Sequence, residues 1–307
     1  MVKNVTLSRS SQISIKLCVI VKNDGIRGKI QNFVATTGMR VWSGAGDMLT
    51  IGQQKAPDAS STLCGFPLPS SLQMPTRTVA IMQPYFFPYL GYYALMARAD
   101  VFVVFDCVQF PRRGRIHRCA LPDRKGRPNW LTLPLARYGR TTRIADLRFA
   151  ANAGDRWQAA LDKYPWYIST EGRLTGTIRE LLHIETDDVT AYLTRQFSAM
   201  RDLLGLHCRI VRSSAIPVDP GLHGQDRVIA IARALGASEY VNSPGGRALY
   251  DEARFRKAGI GLGFLPPYAG TVRHLLPALF TQDQDTLRAD LRDYAAQPLI
   301  KGNPAHA

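Results

Sequence analysis

No run of apolar residues in this chain approaches the roughly 18–20 residues needed to cross a bilayer. The one apolar stretch near its start, Ile13–Val21, is short, is interrupted by Lys16 and lacks a small-residue cleavage site, so neither a membrane span nor a secretory signal is expected. Cysteine is scarce as well: Cys18, Cys64, Cys107, Cys119 and Cys208 are scattered through 307 residues with no CxxC pair. That spacing argues against a zinc site and a disulfide framework, and it suits a reducing cytoplasm, the expected location. The GxxxxGK[ST] spacing of a P-loop is missing, as is the GxGxxG of a dinucleotide fold, so no cofactor and no metal are expected. No internal repeat is present.

Acidic residues are the remaining deficit. The chain has 39 lysines and arginines against 24 acids, a net charge of +15. Such a balance suits an anionic substrate, a nucleic acid or a plain solvated basic surface. Basic residues are mixed among acidic ones except in Arg112-Arg113-Gly114-Arg115-Ile116-His117-Arg118, and no RNA- or DNA-binding motif is found, so nucleic acid is not the expected partner. Hydrophobic residues at 46% and charged residues at 21% are ordinary for a globular protein long enough to bury a sizeable core.

The chain divides by texture. Residues 1–76 are expected to form a poorly structured extension: short β-like runs (Ile13–Val21, Met48–Ile51) alternate with Gly, Ser and Pro clusters, and Gln53–Thr76 reads as linker. Met74 stands just before the first strong strand and is an alternative translation start. From Val79 the pattern becomes orderly. Strands are predicted at Val79–Met82, Val101–Phe105, Trp130–Leu135, Cys208–Ser213, Glu239–Asn242 and Gly261–Leu265. Helices are predicted at Gly91–Ala99, Asp155–Lys163, Asp188–Leu204, Gln225–Leu235 (closed by Gly236), Ala248–Ala258 and Thr286–Tyr294. This alternation predicts an α/β fold: a mainly parallel sheet flanked by helices, layered like a Rossmann fold, in one main domain over 77–296 with a tail at 297–307.

Five segments carry chemistry. In Gln83–Tyr92, prolines and the aromatics Tyr85, Phe86, Phe87 and Tyr89 crowd a turn at a strand's carboxyl end, where open α/β sheets bind ligands; they either pack the turn or line a pocket. Asp106-Cys107-Val108-Gln109 follows the second strand. Asp106 could serve as a base, a substrate acceptor or a cap, and Cys107 as a nucleophile or a small buried apolar residue. Alternation places Arg115, His117 and Cys119 on one strand face and Arg118 on the other. Gln225-Asp226-Arg227 opens a helix, whose free N–H groups suit an anion. Asn242-Ser243-Pro244-Gly245-Gly246-Arg247 is a strand, a Gly-Gly turn and a helix start, permitting close approach of a ligand to the backbone.

In this order the segments resemble the WbqC-like protein family: VAIMQPYFFPYLGYY (79–93), ADVFVVFDCVQF (99–110), RIHRCAL (115–121), the GQDRVIAIARALGASEYVNSPGGRALY stretch running on to GFL at 265, and Tyr268. The resemblance covers roughly residues 78–270. It implies a place beside surface-sugar or specialised-metabolite pathways, and glycine-type aminoacyl transfer onto a sugar as the activity. Three positions depart from the family pattern: Asp106-Cys107 in place of two acids, His117-Arg118-Cys119 in place of Asn-Arg-Asn, and Leu275–Asp283 in place of a Ser-Ile-Ile-Asp-like segment. The expected site has Asp106 and His117 as proton acceptors. Gln83, Tyr85, Tyr89, Gln109, Arg118, Gln225, Arg227, Asn242, Gly245, Gly246 and Tyr250 surround an acceptor and an anionic small-molecule donor. A non-catalytic binding or assembly protein of the same pathway is the alternative.

Overall fold

Val79–Met82 and Val101–Phe105 are apolar on both faces, and such segments are stable only when helices cover both sides of a sheet. The computed structural model, which describes residues 76–122, 127–169, 171–172 and 174–301 and four short strands nearer the N-terminus, bears this out. The chain forms two compact units, Met1–Pro69 and Ser70–Ala307. In the first, β1 (Lys3–Leu7) pairs antiparallel with β2 (Ile15–Val19), and β3 (Arg40–Trp42) with β4 (Met48–Thr50). The two β-like runs expected there contain β2 and β4; Met74 and nearly all of the expected linker lie outside the described residues.

The second unit holds β5 (Thr78–Met82), a 3-10 turn at Leu90–Tyr93, α1 (Ala94–Arg98), β6 (Val101–Val104), β7 (Arg118–Pro122), β8 (Pro128–Thr132), α2 (Ala153–Leu161), α3 (Pro165–Ser169), α4 (Thr175–Leu182), α5 (Val189–Leu203) and β9 (Arg209–Arg212). It continues through α6 (Gly224–Ala234), β10 (Glu239–Asn242), α7 (Glu252–Lys257), β11 (Gly261–Phe264), α8 (Leu275–Thr281), α9 (Gln284–Ala296) and β12 (Ile300–Lys301). Six strands form one sheet in the order β12-β11-β10-β5-β6-β9. All neighbours are parallel except β12, which runs antiparallel to β11 and so extends the sheet into the segment expected to be a tail.

The two-residue period sorts the core. Val79 and Ile81 of β5 and Val101 and Val103 of β6 face Val228 and Ile231 of α6 and Phe255 of α7. Ala80, Phe102 and Val104 face the other way, toward Leu95 of α1, Phe197 of α5 and Leu287 of α9. This is the three-layer α/β arrangement expected from the alternation of strands and helices.

Three local expectations are corrected. The helix expected at Ala248–Ala258 is a 3-10 segment at Pro244–Leu249 and a separate α7, because the Asp251 side chain accepts from the Ala253 N–H (2.8 Å) and starts a new helix. Arg115 and His117 do not share a strand face with Cys119, since both lie in the turn before β7, which starts at Arg118. Trp130–Leu135 is not one strand: β8 ends at Thr132, and Leu135 bridges Phe149. The Leu275–Asp283 stretch is structural: α8 buries Leu275, Leu276, Leu279 and Phe280, and the Asp283 carboxylate caps α9.

The glycine in the turn before α1 has a packing reason. A Cβ on Gly91 would stand 2.7 Å from both the Tyr268 and the Tyr89 rings. Tyr268 cannot retreat easily, because its hydroxyl donates to Asp290 Oδ2 (2.7 Å) and its ring meets Tyr294 at 5.0 Å. Gly91→Ala is therefore expected to destabilise the domain by about 1–3 kcal/mol, the usual cost of overpacking. An unchanged urea midpoint would show that this tyrosine cluster is loose.

Candidate functional site

Strand order locates the site before any side chain does. The chain leaves β5 toward β6 and β9 on one side, then crosses back so that β10 and β11 add on the other. The gap between the carboxyl ends of β5 and β10 is the switch point where open α/β sheets bind ligands. Gln83 and Tyr85 leave β5 there, and Asn242–Gly246 leaves β10.

The loop after β5 is strained and braced. Phe87 has φ 37°, a left-handed value that costs a bulky residue about 1–3 kcal/mol, and Pro88 follows it. The Phe86 N–H donates to the Arg115 carbonyl (2.9 Å), and the Phe86 ring packs edge-on against Phe87 and Trp157. Phe86, Phe87 and Pro88 are buried, while Gln83, Tyr85 and Tyr89 are half-buried. Tyr92 donates its hydroxyl to the Gln83 carbonyl (2.6 Å), and the Gln83 side-chain amide has no hydrogen bond among the described residues.

Asp106, just past β6, is wholly buried and anchored. Its Oδ1 accepts from Ser213 Oγ (2.9 Å) and the Ser214 N–H (2.8 Å). Its Oδ2 accepts from Ser214 Oγ (2.8 Å) and Arg212 Nε (2.7 Å). Four donors occupy the four acceptor positions of a carboxylate. Ser213 Oγ in turn accepts from the N–H groups of Asp106 (3.0 Å) and Cys107 (3.1 Å). Arg212 also reaches Asp188 Oδ2 (3.3 Å), whose Oδ1 caps α5 through the Ala191 N–H. Burial opposes the Arg212 charge, but the Asp106 and Asp188 carboxylates outweigh it and raise its pKa. The Arg212 side chain stays 29% exposed, while Asp106 is wholly buried.

Cys107 is half-buried and accepts from Arg227 Nη1 at 3.3 Å. Arg227 is itself buried. It donates to the Leu222 carbonyl (2.6 Å) and the Pro220 carbonyl, with no carboxylate partner among the described residues. Two guanidinium groups thus flank the ends of β6 and β9.

On the β10 side, Asn242 is buried, donates Nδ2 to the Tyr240 hydroxyl (3.0 Å) and accepts from the Ser243 N–H (2.6 Å). The Tyr240 hydroxyl meets that of Tyr250 at 3.4 Å. Burial raises the Tyr250 pKa, and hydrogen bonds with Tyr240 and Asn242 pull it back in part. Gly246 must be glycine, since a Cβ would stand 2.8 Å from Asn242 Nδ2. Gly245 is different: a Cβ there meets nothing within 4 Å, so nothing inside the described protein demands a glycine.

His117 is 8% exposed, lies edge-on to Phe110 at 5.1 Å, and its Nδ1 has no partner among the described residues. Burial, with help from the Arg118 charge, pushes its pKa down to about 4, so the imidazole is neutral near pH 7.

Three expected binding residues are occupied. Gln225 accepts from the Asp251 N–H (2.6 Å) and donates back to the Asp251 carbonyl (3.4 Å), tying α6 to α7. Gln109 donates to the Arg140 carbonyl (2.6 Å). Arg118 donates to the Arg113 (2.8 Å) and Gly114 (3.2 Å) carbonyls and lies 4.3 Å from the centroid of Trp130. The residues missed from sequence are Arg212, Ser213 and Ser214. Arg212 ends β9 and the two serines follow it, as Asp106 follows β6, so the same strand-end logic identifies them. A shallow cavity of about 280 Å³ lies at the opposite edge, between the amino ends of β6 and β9, and holds none of these groups.

An uncharacterized protein of Mycobacterium tuberculosis, Rv1507c, is 25% identical over 189 residues, covering 60% of this chain and 80% of that protein. No solved structure matches. The WbqC-like protein family model matches residues 83–272, more than half of the chain, from the Gln83 loop to the end of the Tyr268 segment. The chain belongs to the WbqC-like protein family.

Proposed function

We propose that this protein is a transferase that moves an acyl or aminoacyl group onto an amino or hydroxy sugar, or a related small molecule, in surface-polysaccharide or specialised-metabolite synthesis. The observation that carries the reading is the pair of guanidinium groups, Arg212 and Arg227, fixed at neighbouring strand ends beside the switch point. Donors held in place before the reaction stabilise negative charge without reorganising. They suit the anionic part of a donor and the oxyanion of an acyl-transfer intermediate. The acceptor lies between Gln83 and Tyr85 on one side and Asn242, Gly245, Gly246 and Tyr250 on the other. His117, neutral at pH 7, takes the acceptor's proton. Asp106 acts as a positioning residue that aims Arg212 and Ser214.

The Gly245 position tests this reading. Gly245→Leu adds a side chain where the fold has space, so the melting temperature should stay within about 1 °C, while a ligand approaching the Gly245–Gly246 backbone loses its site. Transfer and ligand affinity, screened with amino sugars against aminoacyl and coenzyme A thioester donors, should drop by at least tenfold, about 1.4 kcal/mol. Full activity in this variant overturns the placement of the acceptor. One observation favours a second reading, a non-catalytic binding protein: all four acceptor positions of the Asp106 carboxylate are taken by protein donors, so it has no free lone pair for a substrate. Tight ligand binding with no turnover across the donor panel would establish it.

A further inference from the structure

The positive charge of this protein is concentrated. Residues 107–148 carry ten arginines and one lysine against two aspartates, a net of +9 out of +15 for the chain. Within this stretch β7 and β8 form an antiparallel hairpin with Ala120 opposite Trp130. Trp130 is 44% exposed, with the Arg118 guanidinium 4.3 Å and the Arg115 guanidinium 5.8 Å from its ring centroid. Nearby, Arg112 lies 5.8 Å from the half-buried Tyr138 ring. Arg143 and Arg148 have acidic partners in Asp146 and Asp187. Arg112, Arg113, Arg115, Arg118, Arg137 and Arg140 have none among the described residues. The surface is continuous with the site, since the Arg115 carbonyl holds Phe86 and the Arg140 carbonyl holds Gln109.

We infer that this hairpin binds single-stranded RNA, and that the donor at the neighbouring site is an aminoacyl ester carried on the terminal ribose of an RNA. The inference rests on the transferase reading for the donor's chemistry and on the hairpin for the RNA. Six guanidinium groups without an acidic partner among the described residues exceed what one diphosphate needs, which points to a polymer of phosphates. Arginine binds phosphate in two-point fashion and stacks on flat rings, and an exposed tryptophan offers a platform for an unpaired base. An anionic membrane fits less well, because interfacial binding inserts an apolar face. Among the described residues the hairpin exposes one large apolar side chain, and the other large exposed apolar residues, Ile168 and Leu249, lie on other elements. In the reaction, the acceptor's amino nitrogen attacks the ester carbonyl carbon. The carbon–nitrogen bond forms, the bond to the ribose oxygen breaks, and the amine's proton ends on that oxygen. No oxidant or reductant is required.

The test is fluorescence anisotropy of the full chain with a labelled single-stranded RNA of about 12 nucleotides. Binding should be saturable, and its logarithm should fall with log salt by about 0.7 per phosphate contacted. Trp130→Ala should weaken binding about tenfold with the slope unchanged. Arg112→Gln with Arg113→Gln should flatten the slope by about 1.4. Absence of RNA binding, wild-type binding by both variants, or phosphatidylglycerol vesicles that RNA does not displace each overturn the RNA surface. Transfer from a small-molecule donor alongside any of those results leaves the transferase reading intact. RNA binding without transfer from an RNA-borne aminoacyl ester leaves the surface standing and overturns the RNA-borne donor; if no small-molecule donor supports transfer either, the transferase reading falls with it.

Discussion

Replacing Asp106 with asparagine is expected to lower the stability of the α/β domain by about 3–5 kcal/mol, the cost of breaking a buried ion pair while leaving its partner in place. The asparagine Nδ2 would turn a donor toward Arg212 Nε and Ser214 Oγ, or toward Ser213 Oγ and the Ser214 N–H. In the first orientation Ser214 Oγ turns to accept, but Arg212 Nε loses its acceptor and the guanidinium keeps only its longer contact to Asp188. In the second, Ser213 Oγ, which already accepts twice, and the Ser214 N–H both lose theirs. In both, the carboxylate charge opposite Arg212 is gone. For a domain of this size the loss corresponds to a fall in Tm of roughly 6–20 °C. The result separates two roles. A carboxylate acting as proton acceptor would lose activity on substitution with Tm nearly unchanged. A carboxylate that ties the ends of β6 and β9 loses Tm first, and activity only through the displaced Arg212 and Ser214. Thermal melts of Asp106→Asn and Ser214→Ala discriminate further: Ser214→Ala removes one donor of four and should cost about 1 kcal/mol.

That role was not legible in the sequence, and the reason is physical. Position after an apolar strand showed that Asp106 sits at the functional edge. Whether its oxygens face a substrate or the protein depends on Arg212, Ser213 and Ser214, more than a hundred residues away, and local pattern carries no information about such pairings. The same limit applies to Gln225, whose helix-start position was evident but whose amide is taken by Asp251. The central strands were legible because burial on both faces demands continuous apolar runs, and α6 because its period and Gly236, at φ 67°, mark its face and its end. The short helices α3, α4 and α8 were not expected. The α3 helix is five residues long, too short for a period, and Gly176 and Pro277 interrupt those of α4 and α8. Both α3 and α8 are held by tertiary packing such as Trp166 against Phe280 at 5.1 Å. The β7–β8 hairpin was half visible, because its arginines obscure the strand signal and lie instead over Trp130.

The second large effect concerns His117 and acid. Its pKa is about 4 in the folded protein, against about 6.5 in an unfolded chain. On acidification the unfolded state takes up the proton first. The contribution to stability is therefore complete above pH 6.5 and is lost as pH falls toward 4, at up to about 1.4 kcal/mol per pH unit and about 3 kcal/mol in all. His117→Phe should remove this part of the acid limb, so that the wild-type and variant stability curves diverge between pH 6.5 and 4 and run parallel below it. At pH 7 the variant should be as stable as the wild type or up to about 1 kcal/mol more so, because Nδ1 is a buried polar atom without a partner and phenylalanine packs against Phe110 without one. Parallel curves over the whole range would show that His117 is protonated as easily in the folded chain as in the unfolded one, and would remove it as the neutral group facing the substrate. The stability effect and the proposed proton-accepting role are separable in a single variant. The sharpest expectation is therefore opposite signs in one variant: His117→Phe folds at least as well at pH 7 and transfers at least tenfold more slowly, the loss expected on removing a general base.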